Sequence, residues 1–347
     1  MTSLAHTINE RFTFVDQTEK EDQTAFARDV RIGLTASPKH LPCRYLYDRT
    51  GSLLFERICD LPEYYVTRTE REILRERAGE ICDLLPDPTT LVELGSGSSA
   101  KTRVLIEAIL TDRETLHYVP VDVSREMLRT TSVALLKAFD GLEITAVAGD
   151  YRKGLCFAEN TLDEPKCFLW LGSSIGNFDR VAARDFLRLI RDTMTESDRL
   201  LLGIDLRKSR DVLERAYDDS QGVTAQFNKN LLVRINRELD GDFNLESFDH
   251  RVHYDEEAGR VEMHLVSKVE QTVRIDRLAL NVPFTRNESI HTGYSYKYSL
   301  DEIDELARSA DLRPQRRWLD AQRRFSLNLF ARTDACNLQN PLATAKT

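Results

Sequence analysis

No apolar run in this chain reaches the ~20 residues needed to cross a membrane, and the N-terminus, Met1-Thr2-Ser3-Leu4-Ala5-His6, lacks the basic-then-apolar pattern of a secretory signal. A cytoplasmic protein that does not engage membranes is expected. Cysteine is scarce: Cys43, Cys59, Cys82, Cys156, Cys167 and Cys336 contain no C-x-x-C pair, so neither a zinc site nor a redox dithiol is indicated. They are expected to be buried, reduced thiols that pack as small hydrophobes. The 10 prolines and 15 glycines are spread thinly, and there is no internal repeat or low-complexity stretch. Positive charge is in deficit, with 48 basic against 57 acidic residues and a net charge of −9. That balance works against binding a phosphate backbone, so nucleic acid is not an expected partner. Of the seven histidines, His250, His253 and His264 lie close in sequence. The surrounding alternation reads as strand, where residues three apart face opposite sides, so no metal site is expected.

What remains is a 347-residue chain with 41% hydrophobic residues, enough to bury a large core as one sizeable domain or two closely joined ones. Between residues 69 and 207, helix-length segments separate five short apolar runs: 90–94, 117–122, 144–148, 167–171 and 200–205. Such runs, bounded by glycines and acidic residues, predict βαβ units and a doubly wound parallel sheet covered on both faces. From about 208 to 297 the texture changes. Val261, Met263, Leu265, Ser267 and Val269 alternate with Glu262, His264, Val266 and Lys268 at a period of two, which predicts an inserted α+β subdomain. Ser299-Leu300-Asp301-Glu302 is a capping box opening a helix to about Ala310, and strands are expected near 315–319 and 325–330. The first 16 and last 12 residues read as loose tails.

The strongest chemical signal is Glu93-Leu94-Gly95-Ser96-Gly97-Ser98-Ser99-Ala100-Lys101, where the first strand hands over to the first helix. Glycines there let the backbone turn tightly and approach a ligand beyond the carboxyl ends of the strands. The letters also fit G-x-G-x-x-A, which leaves an NAD-dependent oxidoreductase open. Glu93 two residues before Gly95 gives an E-x-G-x-G form that resembles the loop of class I S-adenosylmethionine-dependent methyltransferases. Asp122 ends the second run, where a carboxylate can accept both hydroxyls of an adenosine ribose. Asp150-Tyr151 ends the third, where an acid and an aromatic could bind and cover adenine. Each acid also fits ordinary helix capping.

Longer blocks are similar to one family, the histidine-specific Nα-methyltransferases of ergothioneine biosynthesis. They are Leu46-Tyr47-Asp48-Arg49-Thr50-Gly51-Ser52, Leu61-Pro62-Glu63-Tyr64-Tyr65 through Thr69-Glu70, Gly172-Ser173-Ser174-Ile175-Gly176-Asn177, Arg215-Ala216-Tyr217-Asp218-Asp219 and Gly222-Val223-Thr224-Ala225-Gln226-Phe227-Asn228. The resemblance runs from Phe26 to Arg332. It implies a Rossmann-like methyltransferase domain, 69–207 with 298–335, joined to a substrate-binding subdomain made from 17–68 and 208–297. It also implies a monomer that uses S-adenosyl-L-methionine and a free amino acid. By the same resemblance Tyr47, Gly95, Lys101, Asp122, Asp150 and Tyr151 hold the cofactor. Tyr64, Gly172, Asn177, Tyr217, Met263, position 293 and Ser295 line the substrate site, with Tyr47, Asn177 and Tyr217 nearest the reaction. A third reading, a silent sensor of an amino acid or of S-adenosylmethionine, stays open beside the two enzymes.

One departure stands out. The family carries Thr-Glu-x-Ser before the last helix, the Glu and Ser gripping the imidazole of the substrate; here the stretch is Thr292-Gly293-Tyr294-Ser295. Losing a carboxylate removes a charge-assisted hydrogen bond worth about 1.5–3 kcal/mol. Gly293 should also vacate volume, and Tyr294 could turn either way. Specificity is therefore expected to shift toward a larger aromatic amino acid such as tryptophan or tyrosine, unless Glu288 or the Tyr294 hydroxyl takes over the imidazole.

Overall fold

The five apolar runs become five neighbouring strands because each is wanted on both sides. A computed structural model of the chain describes residues 4–18 and 23–333. In chain order come β1 (Leu4–Asn9), β2 (Phe12–Asp16), α1 (Gln23–Thr35), β3 (Lys39–His40), α2 (Arg49–Cys59), α3 (Tyr65–Asp83), β4 (Thr90–Leu94), α4 (Thr102–Asp112) and β5 (Leu116–Asp122). Next are α5 (Arg125–Ala138), β6 (Leu142–Ala148), α6 (Tyr151–Thr161), β7 (Lys166–Trp170), α7 (Arg180–Thr193), β8 (Arg199–Asp205), α8 (Arg210–Tyr217) and α9 (Val223–Leu239). The rest comprises β9 (Phe248–Asp255), β10 (Arg260–Ser267), β11 (Gln271–Ile275), β12 (Leu280–Phe284), β13 (Ser289–Tyr296), α10 (Leu300–Ser309), β14 (Leu312–Leu319) and β15 (Phe325–Arg332).

Nine strands form one sheet in the order β1-β2-β6-β5-β4-β7-β8-β15-β14. The pairings from β2 through β8 are parallel, whereas β15 runs antiparallel to β8 and β14 to β15. Every residue of β4 and β7 is buried. Their alternate side chains serve two cores. Leu91, Tyr118 and Leu169 meet Ile73 and Leu74 of α3 and Leu105 of α4, while Val92, Val119 and Phe168 meet Leu155 of α6, Phe186 of α7 and Ile303 of α10. Strand order reverses at β4, with β5 on one side and β7 on the other, which opens a crevice at the carboxyl ends.

The insertion supplies α8, α9 and a four-stranded sheet, β3-β13-β10-β9, with β11 and β12 as a separate pair. The N-terminal segment joins it, since β3 pairs parallel to β13. A bridge between Leu206 and Tyr298 stitches the end of β8 to the segment after β13. The predicted capping box is formed by Ser299 and Glu302. The edge strand β14 starts earlier than expected because Pro314 lies at a bulge, where its missing N–H is tolerated.

Three expectations change. The N-terminal stretch is no loose tail: β2 pairs parallel to β6, and Phe12, Phe14 and Val15 are buried. The Arg11 guanidinium fastens the hairpin by donating to the Asp140 carbonyl at 2.7 Å. β2 has only five residues and pairs with a strand that lies far along the chain. The expected boundary at 68 falls inside α3, a continuous helix. Cys156 is exposed, and Cys43 and Cys59 are half-buried, so among the described cysteines only Cys82 and Cys167 fit the expectation of buried thiols. Cys336 and the C-terminal tail lie outside the described residues. Among the described residues no helix is long and apolar enough to cross a membrane.

Candidate active site

The glycine loop leaves β4 in a conformation that needs glycine. Gly95 has φ +77° and Gly97 φ +50°, and a Cβ at Gly95 would lie 2.9 Å from the Tyr151 hydroxyl. The Gly95 N–H donates to the Val121 carbonyl at 2.8 Å, tying the loop to β5. The Asp122 carboxylate accepts from the Gly97 N–H at 2.9 Å and from the Ser124 N–H at 2.8 Å. A carboxylate has about four lone-pair sites, so the two left over fit a ribose diol. Burial raises the Asp122 pKa. Ser96 Oγ is buried in the loop with no partner among the described residues, a second polar atom left for a ligand. Glu93 faces inward and accepts the Tyr118 hydroxyl, which meets Ser99 Oγ at 2.8 Å. Burial pushes the Glu93 carboxyl up to about 7. It therefore braces the loop from beneath.

Asp150 caps α6 by accepting the Lys153 N–H at 3.0 Å, so the ordinary capping role is real for this acid. Tyr151 packs on Trp170 and Phe186 with its hydroxyl turned toward Gly95.

Lys101 reaches a carboxylate that the sequence reading did not single out. Its ammonium donates to Glu70 at 2.7 Å, and Glu70 also accepts the Gly172 N–H at 2.8 Å. Burial works against the Lys101 charge, but Glu70 outweighs it and raises its pKa. Glu70 is wholly buried and reaches from α3 into the notch that Gly203 leaves on the face of β8. A Cβ at Gly203 would lie 1.9 Å from its Oε1. Gly172, at φ +76°, leads from β7 into a 3-10 turn, Ser174–Asn177, that leaves the Asn177 side chain exposed.

The tyrosines converge. Tyr47 packs edge-on against Phe55 and Phe227, Phe55 against Tyr64, and Tyr64 against Tyr217 with ring centroids 6.0 Å apart. Burial raises the Tyr47 and Tyr64 pKa values well above the ordinary range, so both stay protonated. The Tyr217 hydroxyl donates to Ser295 Oγ at 2.9 Å. Gly176 places the Asn177 turn against this pair, since a Cβ there would lie 3.0 Å from Ser295 Oγ. Behind them sits Lys297, whose ammonium donates to Tyr217 at 2.8 Å and Ser295 at 3.0 Å and pairs with Asp205 at 2.7 Å. Asp205 also accepts from Tyr65 at 2.8 Å and Lys208 at 2.5 Å. Burial would raise the Asp205 pKa, but the two ammoniums hold it below its usual value. Lys208, disfavoured by burial, falls to about 8, whereas Asp205 keeps Lys297 charged. With both lysines protonated, the cluster of one carboxylate and two ammoniums is net positive.

The other end of the pocket is defined by register. Met263 pairs with Gly293 and Val261 with Ser295, and Thr292 is the extra residue of a bulge. A Cβ at Gly293 would lie 3.1 Å from Cys43 Cβ and 3.5 Å from Met263 Cε, so the expected void is partly filled by the Cys43 side chain. Tyr294 alternates away from Gly293 and Ser295 and packs on His291 and Tyr296. Glu288 pairs with Lys39 at the start of β13 and accepts the Thr285 N–H at 2.9 Å. Neither supplies a group beside Ser295. His250 meets Asn228 and the Tyr217 carbonyl, each at 2.9 Å, and His253 lies beside Glu214.

The structure thus joins Gly95, Asp122 and Tyr151 at one end, Lys101 and Gly172 in the middle, and Tyr47, Tyr64, Asn177, Tyr217, Met263, Gly293 and Ser295 at the other. Glu70, Lys297, Asp205 and Cys43 were missed as site residues. For Lys297 a signal existed, a lone lysine between Tyr296 and Tyr298 just past the end of β13. For Cys43 there was none.

Comparison with known proteins places the chain in a family. The family described as histidine-specific methyltransferase, SAM-dependent, matches residues 26–332. The histidine N-alpha-methyltransferase of Mycolicibacterium smegmatis is 42% identical over 89% of this chain and 95% of its own length. Ergothioneine biosynthesis protein 1 of Neurospora crassa is 32% identical over 85% of this chain, which spans 33% of that longer protein. A 4-dimethylallyltryptophan N-methyltransferase of Trichophyton verrucosum is 29% identical over 85% of this chain and 90% of its own length. The chain belongs to the S-adenosylmethionine-dependent histidine-specific methyltransferase family.

Proposed function

We propose that this chain methylates the α-amino group of a free amino acid, and that its side-chain pocket prefers an uncharged aromatic such as tryptophan or tyrosine to histidine. S-adenosylmethionine, when bound, supplies a methyl group on a sulfonium, open to in-line attack by an amine. Gly95, Asp122, Asp150, Tyr151, Lys101 and Tyr47 would hold it. The insertion 208–297, with the stretch from α1 to the start of α3, would supply most of the amino-acid side, and β4 to β8 with α10 to β15 most of the cofactor side.

Asn177 and Tyr217 clamp the substrate carboxylate in front of the net positive Asp205 cluster, with Tyr64 and Gly172 beside it. Only a neutral amine has the lone pair to attack. Tyr47 and Tyr64, kept protonated by burial, pack and orient; they do not take its proton. Positioning is then the main contribution, worth several kcal/mol when reacting atoms are held about 3–3.5 Å apart.

The observation that carries the specificity is the wall at Gly293. Cys43 and Met263 crowd it with soft, apolar groups where the family places a carboxylate, and sulfur packs well against aromatic rings. The tryptophan-derivative methyltransferases among the relatives are consistent with such a pocket. The test is competition between histidine, tryptophan and tyrosine in one tube, with products read by mass spectrometry. The native protein is expected to methylate an aromatic first. A Gly293→Glu variant, paired with Cys43→Gly to clear the 3.1 Å contact, should gain on histidine by about tenfold or more. Exclusive histidine methylation by the native protein overturns the specificity. No methylation of any of the twenty amino acids leaves only a binding role.

A further inference from the structure

Two hydroxyls at the substrate site share one buried ammonium. Lys297 is fully buried and all three of its protons are committed, to Asp205 at 2.7 Å, Tyr217 at 2.8 Å and Ser295 at 3.0 Å. An ammonium has no acceptor, so each hydroxyl must turn its own proton away from Nζ. The two oxygens are 2.9 Å apart, close enough that one must donate to the other. Only two arrangements satisfy this. In the free protein Tyr217 donates to Ser295, and the Ser295 proton is left to the pocket. In the other, Ser295 donates to Tyr217 and the Tyr217 proton goes outward.

Resting on the functional reading above, which puts a carboxylate at Tyr217 and the substrate side chain at the Gly293 wall, on whose face Ser295 also lies, we propose that Lys297 is a positioning residue that makes these hydroxyls a one-way chain. A carboxylate accepts from Tyr217, so Tyr217 accepts from Ser295. One Ser295 lone pair is already held by Lys297, and the other becomes free only in this arrangement. The substrate side chain must then donate to it. The site selects amino acids with a free carboxylate at one end and an N–H or O–H donor at the other, because each hydrogen bond in such a chain strengthens the next. This asks for a donor on the side chain without asking which ring carries it, so it is separate from the wall at Gly293.

The experiment uses shape-matched substrate pairs that differ in the donor: tryptophan with 3-(3-benzothienyl)alanine, histidine with 3-(4-thiazolyl)alanine, and tyrosine with phenylalanine. For each pair whose donor member is methylated, the native enzyme is expected to favour that member in kcat/KM by about tenfold or more, mainly through KM. In Ser295→Ala and Lys297→Met the ratio should fall toward one while S-adenosylhomocysteine affinity is kept. Asp205 retains Lys208 and Tyr65 in the lysine variant, which protects the fold. Should Lys297→Met still fail to bind S-adenosylhomocysteine, Tyr217→Phe leaves the ion pair intact and should lower the same ratio. A lysine that only supported the fold would slow both members of a pair alike. An unchanged ratio in Lys297→Met, or a native ratio near one, overturns the chain, whereas methylation of none of the donor members overturns the functional reading instead.

Discussion

The two ends of the site are built by different means. At the cofactor end the parts are local, because Glu93, Gly95, Lys101, Asp122, Asp150 and Tyr151 fall within one βαβαβα stretch and act through backbone turns and strand-end carboxylates. At the amino-acid end the parts are distant. Cys43, Tyr64, Asn177, Tyr217, Met263 and the β13 stretch that carries Gly293 and Lys297 come from six separate segments that meet only because β3 joins β13 and the Asn177 turn abuts Ser295. A backbone cradle tolerates surrounding change as long as its glycines turn. An assembly of side chains is altered by any one of its members, and Gly293 is such an alteration.

The largest effect should come from below the cofactor end. Gly203→Ala puts a Cβ 1.9 Å from the Glu70 carboxylate, which cannot move aside against the sheet without leaving Lys101 unpaired. Breaking a buried pair in this way costs about 3–5 kcal/mol. The melting temperature should fall markedly and S-adenosylhomocysteine binding should weaken with it. A stable Gly203→Ala protein with native cofactor affinity would show that Lys101 does not depend on Glu70.

The next test separates the ends directly. Asp122→Ala should weaken S-adenosylhomocysteine by about 1.5–3 kcal/mol, roughly ten- to a hundredfold, and leave the amino-acid KM nearly alone. Asn177→Ala should do the reverse, raising the amino-acid KM with cofactor affinity intact. Titration calorimetry and initial rates on both variants decide it. If either variant moves both quantities together, the two ends are not independent and the contrast fails.

That contrast also accounts for what could be read in the sequence. The parallel sheet was legible because β4 and β7 are mostly apolar and buried along their whole length, and the glycine loop because its turns can be made by few other residues. The N-terminal hairpin was not, since β2 is short and its partner β6 lies far along the chain. Side-chain direction was out of reach as well. The bulge at Thr292 sets which of Gly293, Tyr294 and Ser295 face the pocket, and nothing in the letters announces a bulge. Glu70 lay within a recognised block, yet only the notch at Gly203 explains where it goes.

The smallest expected effect concerns Asp150, the one acid at the cofactor end for which capping and ligand binding compete. Its carboxylate accepts the Lys153 N–H at 3.0 Å, and losing a cap costs typically about 1 kcal/mol. Asp150→Ser keeps an oxygen that can cap α6 but removes the second oxygen and the charge. If the acid only caps, the serine variant should melt and bind S-adenosylhomocysteine like the native protein, while Asp150→Ala loses a little stability and no affinity. If it also meets the cofactor, the serine variant keeps its melting temperature and loses affinity, by less than Asp122→Ala does because Asp150 is the more exposed of the two acids. The second outcome is expected, since three successive strand ends carrying acids or an acid–aromatic pair are more than three helices need for their caps. Native affinity in a stable Asp150→Ser protein would reduce the cofactor end to the glycine loop, Lys101 and Asp122.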